Sequence, residues 1–160
     1  MPGESMITLI QRVTQAEVRV GGECIAAIGP GILALVGITP TDGPAEASRL
    51  LQRILGYRLF ADDQGRMNRD LRQTGGGLLL VPQFTLSADT RKGLRPGFST
   101  AAPPERARPL FEALVAEAQR LHPQVASGRF GADMQVGLVN DGPVTFLLHS
   151  GESGADAAAN

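Results

Sequence analysis

The chain has 160 residues, 42% of them hydrophobic, a formal net charge of −1 and a single cysteine. That length suits one domain with a sizeable core, and the near-zero charge excludes a body that grips duplex nucleic acid nonspecifically, so any RNA contact has to come from a local basic patch. Cys24 alone can form neither an intramolecular disulfide nor a thiolate zinc cluster, which points to the cytoplasm.

Taken in chain order, residues 1–5 read as a flexible extension, 6–149 as the folded domain, and 150–160, with the small and polar "GESGADAAAN", as a disordered tail. "MPGESMITLIQRV" lacks a basic region followed by a long apolar one, and no run reaches the ~18 apolar residues of a membrane span. The expected chain is soluble and unsecreted. "MITLIQRV" and "AEVRVGGECIAAIG" read as strands joined by a tight hairpin at the Gly-Gly pair. "GILALVGI" is apolar throughout and predicts a buried strand. Between Gly43 and Gly56, Ala45, Ala47, Leu50, Leu51, Ile54 and Leu55 recur at helical spacing, with Gly56 as a stop. "TGGGLLLVPQFTL" predicts a short strand launched from glycines. A second helix is expected from Pro104 to about Leu121, its first turn distorted or non-helical because of Pro109. "DMQVGLVNDG" and "PVTFLLHS" close the chain as a strand pair or strand-bend-strand. The expected fold is α/β, a single domain with a curved mixed β-sheet and two main helices.

Most catalytic kits are missing. His122 and His149 have no evident Ser or Cys partner and read as surface or capping residues, and Cys24 reads as packing. "ADDQGR" lacks the alternating ligands and closing glutamate of a calcium loop and reads as a turn, so no metal is implied. What remains is small polar groups and exposed backbone. In "VPQFTLSADT", an extended segment would place Gln83 and Thr85 on one face and Phe84 on the other. Pro82 and the loop after Leu86 would leave nearby N–H groups without sheet partners, and such amides can stabilise an oxyanion. In "NDGPVT", Gly142 permits close backbone approach to a ligand, and Pro143 is the residue type for which a cis bond is cheap.

These segments resemble the D-aminoacyl-tRNA deacylases, and the likeness extends through "RILGYRLFADDQGRMNRD", "PQFTLSADTRKGLRPGFS" and "GRFGADMQVGLVNDGPVTF". The resemblance implies a deacylase-type fold that hydrolyses the ester of D-aminoacyl-tRNA, and glycyl-tRNA with it, using no metal and no diffusible cofactor. It implies a homodimer whose active sites lie at the subunit interface. There the catalytic Gln83, Phe84 and Thr85 of one chain would face the Gly142-Pro143 dipeptide of the other, in cis, as a backbone wall against L side chains. Arg12 matches an arginine that braces the Gly-Pro loop, and Pro82, Met134 and Thr145 are implied in substrate binding. Arg91, Lys92 and Arg95 in "DTRKGLRPG" suit the phosphates of the aminoacyl-tRNA 3′ end.

The chain departs from the family at Pro82, where serine is usual, so a hydroxyl and an N–H are lost. Pro-Gln also opens the motif of a sister group that removes L-alanine mischarged on a threonine tRNA. That specificity, or a non-catalytic module binding RNA ends, is the alternative to D-specific hydrolysis. Whether Thr85 is a nucleophile or a positioner stays open, with water attack assisted by the 2′-hydroxyl of the terminal adenosine preferred because no base is evident.

Overall fold

The first strand sets the curvature of the sheet. In the computed structural model, which describes residues 5 to 152, β1 (Ile7–Val20) is one continuous strand covering both the first expected segment and the start of the second. The hairpin falls after it, at Gly21 and Gly22, whose φ values of 57° and 82° give the left-handed pair that a two-residue turn requires. β2 (Glu23–Ile28) returns antiparallel along the C-terminal half of β1, and β3 (Gly31–Gly37) along its N-terminal half. The opposite edge of β1 is paired along almost its whole length by β8 (Gln135–His149). Register shifts along β1, at Val18/Arg19 against β2 and around Val13 against β8, bend and twist it strongly. β2 consequently comes to lie against β6 (Gly77–Pro82) and β7 (Val125–Ser127), leaving a curved, nearly closed sheet. β6 runs parallel to β3 and to β7, so the sheet is mixed as expected.

Parallel strands in the middle of such a sheet are covered on both faces. β6 follows the rule: Leu78 and Leu80 join the core beneath the helices, while Leu79 and Val81 join a second cluster with Val13, Ala16, Val18 and Leu33 inside the curve. β3 and β6 start close together because Gly31 and Gly77 are opposed. A Cβ on Gly31 would lie 1.9 Å from the Gly77 carbonyl oxygen.

Two helices close the first core. α1 (Pro44–Gly56) buries Ala47, Leu50, Leu51, Ile54 and Leu55, the stripe read from the sequence apart from Ala45, which is exposed, and its entry is held by the Gly43 N–H donating to Glu46 Oε1 at 2.6 Å. Strands β4 (Phe60–Ala61) and β5 (Met67–Arg69) and the four-residue α2 (Leu71–Thr74) form a small excursion. It includes the expected turn, where Asp62 accepts from the N–H groups of Gln64 and Arg66.

α3 (Pro104–Leu121) corrects the sequence expectation: it is helical from its first turn, with Pro109 inside it. Pro109 removes the bond to the Glu105 carbonyl, and both residues are exposed, where solvent can satisfy that acceptor. His122 caps this helix but is buried rather than surface-exposed, its Nε2 2.7 Å from the Gly76 carbonyl. At the C-terminus, the Ser150 N–H donates to the Met6 carbonyl at 2.9 Å and Ser150–Glu152 form a 3-10 turn. The folded domain thus extends past the expected boundary at His149. Residues 1–4 of the expected extension and 153–160 of the expected tail lie outside the described residues.

Candidate active site

The first half of the site is the end of β6. Pro82 is tolerated in a parallel strand because its ring nitrogen faces the side where β7 has already ended, while the Val36 carbonyl accepts from the Gln83 N–H at 2.7 Å. Beyond Gln83 the chain is not extended as expected. Phe84–Ser87 form a 3-10 turn, with the Leu86 N–H donating to the Gln83 carbonyl and the Ala88 N–H to that of Thr85. Glycine at position 37 makes room for it, since a Cβ there would meet Ser87 Oγ at 2.7 Å and Leu86 Cβ at 3.0 Å.

The turn has two chemical consequences. Gln83 and Thr85 stay together, because Gln83 Nε2 donates to Thr85 Oγ1. The N–H groups of Phe84 and Thr85 open the turn and have no acceptor among the described residues, as the first donors of a helical turn do. Phe84 stands out, 57% exposed, with its ring against Phe98 at a centroid distance of 5.3 Å.

The second half lies within β8. Gln11 pairs with Thr145 and Val13 with Asn140, so four residues, Asp141 to Val144, stand opposite Arg12 alone. The excess chain forms a bulge within β8 that contains Gly142 and Pro143, both exposed, joined by a cis peptide bond. Gly142 sits at φ 131°, and a Cβ on it would lie 2.7 Å from Val144 Cγ2 and 3.2 Å from Arg12 Nη2. Arg12 fills the space beneath: Nε donates to the Asp141 carbonyl at 3.1 Å and Nη1 to the Leu59 carbonyl at 2.9 Å. Asn140 completes the clamp, its Nδ2 donating to the carbonyls of Arg12 and Val144 at 3.1 and 3.0 Å. Thr145 is exposed next to the bulge, accepting from Gln11 Nε2 at 3.3 Å.

An apolar cavity of about 740 Å³ lies beside the first half. Pro82, Gln83, Phe84 and Met134 line it, together with Phe98 and Phe130. Arg12, Gly142, Pro143 and Thr145 do not line it, and neither does Thr85. Met134 belongs to the Gln83 half, where Gly128 admits it: a Cβ at 128 would lie 2.8 Å from Met134 Sδ and 3.5 Å from Pro82 Cδ.

The three cations of the loop after the turn differ. Arg91 is committed to Asp89 by two parallel bonds of 2.9 Å, which hold the Asp89 carboxyl well below the usual range and raise Arg91. Lys92 and Arg95 are exposed and have no ion partner among the described residues. Asn140, Phe98 and Phe130 were not singled out from the sequence; "NDGP" reads as turn punctuation, and only the pairing register shows Asn140 inside the clamp. No group of three His, Cys, Asp or Glu that could hold a metal is found among the described residues.

The domain is of a mixed α/β kind in which the buried parallel strand β6 leads into a turn whose first two N–H groups, of Phe84 and Thr85, have no acceptor among the described residues, beside an apolar cleft. The comparisons name the kind. The D-Tyr-tRNA(Tyr) deacylase family model matches residues 9–149. The chain is 65% identical over 145 residues to the D-aminoacyl-tRNA deacylase of Azotobacter vinelandii, covering 91% of this chain and all of that one. It is 65% identical over 143 residues to that of Methylococcus capsulatus, covering 89% and 94%. Among solved structures it is similar to a c-Myc DNA unwinding element binding protein, with TM-score 0.86 and 38% identity over 89% of this chain and 97% of that one. The chain belongs to the D-Tyr-tRNA(Tyr) deacylase family and is an enzyme of the hydrolase class.

Proposed function

We propose that this protein hydrolyses the ester of D-aminoacyl-tRNA in the cytoplasm, and that of glycyl-tRNA with it. The observation that carries the chemistry is the pair of open N–H groups on Phe84 and Thr85 beside the Gln83–Thr85 hydrogen bond. A carbonyl oxygen seated against these amides is stabilised as it becomes an oxyanion, an effect worth roughly 3–4 kcal/mol per donor. No residue that could act as a base touches the Thr85 hydroxyl among the described residues, and the group beside it, Gln83 Nε2, donates. Water is therefore the nucleophile, assisted by the 2′-hydroxyl of the terminal adenosine, and Thr85 positions it.

The site is completed by a second copy. Gly142 and Pro143 project to solvent from a strand whose outer edge has no partner among the described residues and exposes Leu138, Val139 and Leu147. Seated over the partner's Gln83, the dipeptide presents backbone carbonyls to the substrate ammonium and occupies the space of an L side chain. Glycine, having no side chain, passes. Lys92 and Arg95 meet phosphates of the acceptor end, and Arg91 joins them only by yielding Asp89.

Incubation with D-tyrosyl-tRNA, glycyl-tRNA and L-alanyl-tRNA tests the reading. Release of D-tyrosine and glycine with L-alanine retained is the expected result. Preferential release of L-alanine would assign the sister specificity, and binding without turnover a non-catalytic module. Light scattering should give a dimer, and a fully active monomer would refute the shared site.

A further inference from the structure

Among the residues that line the large cavity, Arg108 of α3 is the one charged side chain. Arg108 has no hydrogen bond or ion pair among the described residues; it lies over the Phe130 ring, 5.3 Å from the centroid, with Nη2 against the Gly131 backbone. Gly131, at φ 82°, turns the chain there, and a Cβ on it would lie 3.1 Å from that nitrogen. On the far side of this cation and ring is a second cavity of about 410 Å³, between α3 and the β7 end. Arg108 and Phe130 line both cavities, so they form the wall between them. Glu112, one helical turn on from Arg108, and Ala116 line the second cavity as well.

Resting on the hydrolytic reading, which seats the ester of the terminal adenosine at the Phe84 and Thr85 amides beside the first cavity, we infer that Arg108 binds the phosphodiester on the 5′ side of that nucleoside, and that the second cavity receives the next base. A polynucleotide passing from one cavity to the other has to cross this wall, and the group that crosses is the backbone phosphate. A guanidinium lying over an aromatic ring, with its donors uncommitted among the described residues, is suited to two-pronged contact with phosphate oxygens. Glu112 in the second cavity is an acceptor suited to an exocyclic amino group, as cytosine carries. Adenosine alone would use only the first cavity.

Binding by NMR shift titration separates this inference from the hydrolytic reading, because it needs no turnover. The probes are adenosine and the trinucleotide CCA. Arg108→Ala, at an exposed position, should weaken CCA about tenfold and adenosine, whose cavity Arg108 also borders, by much less. The slope of log Kd for CCA against log salt should become shallower by about 0.7, the loss of one phosphate contact on a single strand. Arg108→Lys should recover part of the affinity, and Ala116→Phe, which fills the second cavity, should weaken CCA alone. Unchanged CCA affinity and salt slope in Arg108→Ala, or equal weakening of adenosine, overturns the inference. Failure of the wild type to release D-tyrosine from tRNA overturns the hydrolytic reading instead.

Discussion

Arg12 and Asp141 are joined twice: Arg12 Nε donates to the Asp141 carbonyl at 3.1 Å and lies 3.5 Å from its carboxylate. Through its other arm Arg12 reaches the Leu59 carbonyl, so one planar group ties the bulge of β8 to the body of the domain. Lysine, a single point of charge, cannot span both acceptors. Arg12→Lys should cost about 1–2 kcal/mol of stability and lower the D-over-L ratio of deacylation rates about tenfold. Denaturant titration and paired assays with D- and L-tyrosyl-tRNA measure the two effects, and an unchanged ratio would show that Arg12 does not hold the wall.

Gly142→Ala should fail for a steric reason. The new Cβ would stand 2.7 Å from Val144 Cγ2 and 3.0 Å from the Val144 nitrogen, at a φ of 131° that L side chains rarely adopt. A loss of about 1–3 kcal/mol in stability is expected, with deacylation of D-tyrosyl-tRNA falling at least tenfold. Wild-type activity and an unchanged unfolding midpoint would refute the described bulge.

Thr85→Ala distinguishes positioner from nucleophile. If water attacks and the Phe84 and Thr85 amides carry the oxyanion, the backbone survives the substitution and kcat should stay within about tenfold of wild type. A loss of about a thousandfold or more in single-turnover rate, with substrate binding intact, would assign covalent chemistry to the hydroxyl.

Asp42 makes stability depend on pH. It is buried, its Oδ2 accepts from the Thr39 N–H at 2.7 Å, and burial raises its pKa above the ordinary 3.8 despite that bond. The folded state therefore holds this proton more tightly than the unfolded chain, and stability falls as pH rises from 3.8 through the raised folded value. Asp42→Asn removes the group and keeps an acceptor. Its melting temperature relative to wild type should be higher at pH 7 than at pH 3.5, and the reverse order would contradict the assigned direction.

Much of this protein was legible from residue order because the relevant forces are local or periodic. The stripe from Ala47 to Leu55 shows its helix, the unbroken apolar run of β3 shows a strand buried on both faces, and Gly21-Gly22 shows the hairpin. The motifs around Gln83 and Gly142 carry the family resemblance by themselves. Pro109 and the Phe84 turn were misread because each depends on a neighbour: an exposed helix face that loses its bond to water, and a glycine at 37 that lets the chain coil against β3. Only pairing register could show that four residues of β8 stand opposite Arg12, and hence that Arg12 and Asn140 clamp the Gly-Pro bulge across more than a hundred positions. Periodicity records which face a residue takes, whereas the meeting of distant segments is decided by how the curved sheet closes, and that energy is spread over the whole core.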